Sequence, residues 1–323
     1  MKAIRIHEHG GPEMLRYEDA PDAQPGPGEV LLRIKAVGLN FADYLMRLGA
    51  YPNAGPLPLI PGLESAGVVE ALGEGVDDLQ VGQRVLSWGR RSYAELGIAP
   101  AWAVRPAPEG LSFEELAAIP VAYGTSWHAL VRCAQVQAGE RVLVHAAGSG
   151  VGSAALQLAK ALGAWVVVTA GQDWKLERAR ELGADAIINY STQDVAEEVQ
   201  RATDGQGVQV VLEGVGKATF PASVKSLADE GRLVIYGAPS GPRVELDTRP
   251  AIFRNLTLYG MSVTTSRHFA DSVDAFSRIA LAWFEERRLK SVVDRVFPLA
   301  EAGAAMQHMV DRAQFGKVIL RVD

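Results

Sequence analysis

The run Arg141-Val142-Leu143-Val144-His145-Ala146 is followed at once by Ala147-Gly148-Ser149-Gly150-Val151-Gly152. Its first six residues suit a short strand buried on both faces. The glycine-rich six that follow open a helix over Gly150–Leu162, and the next strand is expected at Trp165–Ala170. A strand, a glycine turn and a helix in this order can cradle a dinucleotide pyrophosphate, with backbone N–H groups and the positive end of the helix dipole facing the phosphates. The match to the three-glycine fingerprint is partial: the aligned positions are Ala147, Ser149 and Gly152, with Gly148 and Gly150 between them. Alone the string also suits a plain strand-to-helix turn; the flanking elements favour the nucleotide site. Val142–Ala159 carries no Asp, Glu, Lys or Arg over 18 residues, which approaches a membrane span. Its three glycines and its change of period argue instead for a buried strand, a turn and a helix.

Working outward, strand and helix alternate downstream. Helices are expected at Asp173–Leu182, Val195–Ala202 and after Gly216, and strands at Ala186–Ile188, Val208–Leu212 and Arg232–Tyr236. Such alternation predicts a doubly wound parallel sheet. Upstream, short strand candidates at Lys2–His7, Val30–Val37, Ser65–Leu72, Arg84–Trp88 and Trp102–Val104 are separated by Gly/Pro turns, as in a β barrel or sandwich. The chain ends with two helices, about Arg267–Arg288 and Leu299–Arg312, and a strand at Val318–Val322. The fold class is therefore α/β with a β-rich first part.

The 323 residues, 48% hydrophobic and 22% charged, allow two domains with real cores. A net charge of −6 without basic clustering argues against a nucleic-acid partner. The one cysteine, Cys133, excludes an internal disulfide and a four-thiolate zinc site. The start of the chain lacks a secretory apolar core; a cytoplasmic protein, not attached to a membrane, is expected.

An NAD site usually has Asp or Glu at the end of the second strand, holding the ribose hydroxyls. That place falls on Gly171. Asp173 follows two residues later as a candidate substitute, and it equally suits a cap for the helix that follows. Lys175 and Arg178 lie on that helix's first turns, where cations pair with a 2′-phosphate. NADPH is the expected cofactor.

At this point the chain resembles the medium-chain dehydrogenase/reductases, and among them the zinc-independent, zeta-crystallin-like NADPH:quinone oxidoreductases. The marks are His9-Gly10-Gly11-Pro12-Glu13, Gly38-Leu39-Asn40-Phe41-Ala42-Asp43, Arg47-Leu48-Gly49-Ala50-Tyr51-Pro52, Pro61-Gly62-Leu63-Glu64-Ser65-Ala66-Gly67, Val81-Gly82-Gln83-Arg84-Val85, His145 to Gly152 and Phe315-Gly316-Lys317-Val318. The resemblance implies a GroES-like catalytic domain over 1–120, completed by 264–323, and a Rossmann domain over 121–263. It implies that Lys175 meets the 2′-phosphate, that Tyr190 lies on the adenosine side, and that Gly171 lies at the adenine ribose. Thr125 would sit beside the nicotinamide half. Ala147, Gly148, Ser149, Gly150 and Val151 form the phosphate turn. Val215, Tyr236, Gly237 and Ser240 fall on loops after later strands, Met261 and Ser262 would hold the carboxamide, and Arg312 would approach the phosphates. Tyr236 equally suits a core aromatic at a strand end.

Zinc relatives place Cys where Asn40 stands and His where Leu63 stands, keeping the glutamate at Glu64. An amide and a leucine replace neither ligand, so no metal is expected. The mechanism implied is hydride transfer from NADPH to a quinone or conjugated enone between the domains. Asn40 would orient the nicotinamide or donate to a substrate oxygen. Tyr51 would stack on the substrate or relay a proton, or simply pack its loop. Asp43 would orient Asn40 or cap a helix at Asp43–Leu48. A C=C reductase of alkenals, enones or enoyl thioesters is the first alternative, and a non-catalytic or RNA-associated NADPH-binding protein the second. No Ser/His/Asp or Cys/His arrangement is legible. A homodimer is expected, through edge pairing of Leu256–Met261.

Overall fold

A computed structural model describes residues 1–52 and 54–323. They form two compact units, one built from Met1–Val121 with Val273–Asp323, the other from Ala122–Ser272. The chain returns to the first unit at Val273 rather than at 264. The preceding segment is held in the second unit by His128 Nδ1, 2.8 Å from Ser272 Oγ, and by the edge-to-face contact of His128 with Phe269.

The second unit is a six-stranded, wholly parallel sheet in the order Ala186–Asn189, Trp165–Ala170, Arg141–Val144, Val208–Glu213, Leu227–Ile235, Thr257–Gly260. Strand order reverses beside Arg141–Val144, so the glycine turn leaves the sheet where such folds bind ligands. Leu143, Val167, Val211 and Leu233 from four neighbouring strands bury together with Val199, Phe220 and Val224 from helices. The near-continuous Val/Leu/Ile strands thus reflect a sheet covered on both faces.

In the first unit, Glu29–Gly38 pairs antiparallel with Ser65–Leu72 and Leu96–Pro100, and its far end pairs with the C-terminal strand Lys317–Arg321. Ile319 stands opposite Gly38, so both chain ends build one sheet. The sheet continues through Arg84–Ser87 to Val104–Pro106 on one side and Val293–Pro298 on the other. Several elements differ from the sequence reading. Residues 101–103 form a 3-10 turn, and the strand starts at Val104, opposite Ser87. Leu96–Pro100 is a strand despite Gly97 because it pairs residue by residue with Glu29–Arg33, Gly97 standing opposite Leu32. The long helix after Arg267 is two helices, Phe269–Ala280 and Ala282–Glu285.

Candidate functional sites of the two units

Parallel register gathers the second unit's candidates at one edge. Val144 stands level with Val168 and Leu212, Ala170 with Asn189, and Glu213 with Ile235, which is itself level with Gly260. The residues just beyond these strand ends are therefore the glycine turn, Gly171, Tyr190, Val215, Tyr236, Gly237, Met261 and Ser262. Ser240 joins them: its Oγ donates to the Val215 carbonyl at 2.6 Å. Thr125 is buried on the helix Pro120–Trp127, where the neighbouring Ser126 Oγ donates to the Val151 carbonyl at 3.2 Å.

The turn itself is tightly built. Ala146 takes a left-handed φ of 55°, uncommon without glycine and a recurrent feature of binding loops. Ser149 caps the helix Gly150–Ala161 by accepting from Gly152 N at 2.9 Å, while the N–H groups of Gly150 and Val151, in the first turn, have no intrahelical acceptor. Gly152 is required because a Cβ there would lie 2.2 Å from the Ala146 carbonyl oxygen. Gly148 lets Lys175 lie across the turn, since a Cβ would meet Lys175 Cδ at 2.8 Å. Lys175 is 9% exposed, with its ammonium 5.2 Å from the Trp174 ring centroid. Tyr190 covers Gly171, where any Cβ would be 2.7 Å from its ring. Asp173 does not cap its helix. Gln172 occupies that position, and Asp173 Oδ1 instead accepts from Asn189 Nδ2 at 2.6 Å. The carboxylate that follows the end of the second strand is thus engaged within the protein. Tyr236 is half-buried against Gly214, and burial pushes its phenol up.

A buried cluster unseen in the sequence supports this edge. His145 Nε2 lies 2.9 Å from Ser223 Oγ, which donates to Glu213 Oε2 at 2.5 Å. Glu213 Oε1 also accepts from the N–H groups of Val215 and Gly216. All three side chains are fully buried, and burial holds the imidazole pKa down. The cluster fixes the 213–216 loop and offers no nucleophile to a ligand.

In the first unit, Asn40 begins the helix Phe41–Arg47, and Asp43 completes the capping box by accepting from Asn40 N at 2.9 Å. The helix starts at Phe41 rather than at Asp43. Asn40 Nδ2 lies 2.7 Å from Glu64 Oε1, and Lys317 Nζ lies 2.6 Å from the same oxygen and 2.9 Å from Asn40 Oδ1. Tyr93 donates to Asp43 Oδ2 at 3.0 Å. Gly38 makes room for Glu64: a Cβ there would meet Glu64 Oε1 at 2.5 Å. Tyr51 is half-buried on the loop after the helix, and Arg312 is exposed at a left-handed φ of 56° beyond the helix Ala302–Val310.

Burial lifts the Asp43 carboxyl from 3.8 to about 7. Its Oδ1 has no partner among the described residues. Between these values the folded chain holds a proton that the unfolded chain has lost, so stability falls as pH rises through that window and levels off above it. Asp43→Asn keeps the acceptor for Asn40 N and Tyr93 and carries no charge. Calorimetry from about pH 4 to 7 (roughly the span of the shift) is expected to show a melting temperature that declines with pH in the parent relative to the variant. Parallel profiles would refute the assignment.

The donor set here does not fit a catalytic zinc, which takes three N, S or O ligands. Asn40 and Leu63 stand at two ligand positions, and Glu64 is held by Lys317, Asn40 and Val121 N. Among the described residues no group of three His, Cys, Asp or Glu is placed to hold a metal.

The chain matches the alcohol dehydrogenase GroES-like domain over residues 26–120 and the zinc-binding dehydrogenase family over 150–278. It is 36% identical to a quinone oxidoreductase of Pseudomonas aeruginosa, covering 99% of both chains. The chain belongs to the quinone oxidoreductase family of medium-chain dehydrogenase/reductases. It is also 35% identical to a 2-haloacrylate reductase of Burkholderia sp., over 98% of each chain. The crystal structure of Escherichia coli quinone oxidoreductase complexed with NADPH superposes with a TM-score of 0.92 at 30% identity, covering 100% of both chains. The GroES-like and Rossmann folds expected for this family are those seen. No helix among the described residues is long and apolar enough to cross a membrane.

Proposed function

We propose that the chain is an NADPH-dependent, zinc-independent quinone reductase. The carrying observation is the end of the second Rossmann strand, where Gly171 lacks a carboxylate, Asp173 is engaged by Asn189, and Lys175 lies across the glycine turn. This arrangement fits a 2′-phosphate and offers no acid to a free ribose hydroxyl pair. Bound there, NADPH supplies a hydride. The chain's own part is to hold and orient: N–H groups of Gly148, Gly150 and Val151 for the pyrophosphate, with Ser149 holding the turn through its bond to the Ala146 carbonyl, Tyr190 and Gly171 for the adenosine, Thr125, Met261 and Ser262 for the nicotinamide half. Val215, Tyr236, Gly237 and Ser240 shape the loops between. Arg312 adds a cation for the phosphates. Asn40 orients the reacting partners, Tyr51 covers a flat acceptor, and Asp43 holds Asn40 through its backbone.

The 2-haloacrylate reductase relative favours a second reading, reduction of an activated C=C bond. NADPH oxidation with a panel of quinones, 2-alkenals and 2-haloacrylate separates the two. Turnover greatest with quinones is expected. Turnover confined to alkenes would replace the first reading with the second, and tight NADPH binding without turnover would replace both.

We also propose a homodimer, and no nucleic-acid partner. Thr257–Gly260 is an edge strand, and Ile252 and Phe253 on the preceding helix are 64% and 81% exposed. A second copy paired along that edge would cover both. Sedimentation should give a two-chain mass; a one-chain mass at micromolar concentration would contradict it.

A further inference from the structure

We infer that Lys317 and Glu64 are positioning residues that lock the Asn40 amide, so that its NH₂ is spent within the protein and donates to no ligand. This rests on the reductase reading above for what the ligand is, though not for the lock itself. The count is complete on each side. An ammonium has three donors. Lys317 spends them on the Leu39 carbonyl at 2.7 Å, Asn40 Oδ1 at 2.9 Å and Glu64 Oε1 at 2.6 Å. An asparagine NH₂ has two donors. Asn40 spends them on the Gly38 carbonyl at 3.1 Å and on Glu64 Oε1 at 2.7 Å. Glu64 Oε2 accepts from Val121 N at 2.7 Å.

The amide cannot be turned over, because that would aim its oxygen at a carboxylate and its NH₂ at an ammonium. Lys317 and Glu64 are 5% and 0% exposed, so water does not loosen the arrangement, whereas Asn40 is half-buried. The side-chain oxygen is committed as well, to Lys317 and to the capping box at the start of the helix. The lock excludes the expected donation from Asn40 to a substrate carbonyl.

Asn40→Asp and Glu64→Gln test this. Asn40→Asp sets two carboxylates against one ammonium and leaves the Gly38 carbonyl without its donor, and Glu64→Gln turns an NH₂ toward donors. For a positioning role, each variant should lose about tenfold or more in kcat/KM per folded molecule. The NADPH Kd and the quinone KM, measured separately, show which ligand the lock serves. A kcat/KM per folded molecule equal to the parent's in both variants would overturn the inference. Losses that only track the folded fraction, with kcat, KM and Kd unchanged, would overturn it as well.

The lock has a readout independent of turnover. The chain has four asparagines, so ¹⁵N-asparagine labelling resolves each side-chain amide, with Asn40 identified by its loss in Asn40→Asp. Slow hydrogen exchange of the Asn40 NH₂ is expected, lost in a Lys317→Met/Glu64→Gln variant. Exchange in the parent as fast as at an exposed asparagine would overturn the lock, even in an active enzyme. A protected NH₂ in a protein without NADPH oxidation would leave the lock standing and the reductase reading refuted.

Discussion

Lys317→Met should lower unfolding stability by about 3–5 kcal/mol, the range for removing one partner of a buried ion pair. Lys317 Nζ is 2.6 Å from Glu64 Oε1, and both side chains are within 5% of complete burial. Methionine matches the stem of lysine but leaves the carboxylate with only Asn40 and Val121 N as donors. The cost is that of an uncompensated buried charge, not the net worth of the pair. Adding Glu64→Gln to Lys317→Met should therefore recover a large part of the loss. Denaturant unfolding of the parent, single and double variants measures this. A single variant within about 1 kcal/mol of the parent, the usual limit for exposed pairs, would show that the cluster opens to water.

Lys175→Ala should weaken NADPH binding by about 10–100-fold, as expected for a charge-assisted contact worth roughly 1.5–3 kcal/mol. NADH binding should change little. The selectivity follows from location: Lys175 lies over Gly148 on the helix that follows the second strand, and Asp173 at the start of that helix is engaged by Asn189. Titration of both coenzymes by fluorescence gives the ratio directly. Equal losses for the two coenzymes would mean that Lys175 supports the helix and not the extra phosphate.

These effects were unequally legible in the sequence. The Rossmann sheet shows itself in local pattern, because strands buried on both faces must be continuously apolar and the glycine turn must follow the first of them. The β-rich unit is harder. Leu96–Pro100 carries Gly97 and Pro100, and Val293–Pro298 carries Asp294 and Arg295, so neither displays a strand's alternation; pairing across the sheet decides both. Around Asn40, the Asp43 capping box is a short-range signal. The Lys317–Glu64 contact joins residues 253 apart, and nothing near either residue announces it. Only the family motifs marked both places. The His145–Ser223–Glu213 cluster was likewise hidden, since three strand-end and helix positions meet only after the parallel register forms.

Stopped-flow oxidation of NADPH by a quinone, on protein dialysed against a strong chelator, is the most direct single test of the whole reading. One NADPH should be consumed per quinone reduced, at a rate that chelation leaves unchanged and that NADH does not match at equal concentration. Activity abolished by chelation and restored by zinc, or no oxidation with any quinone, would contradict it.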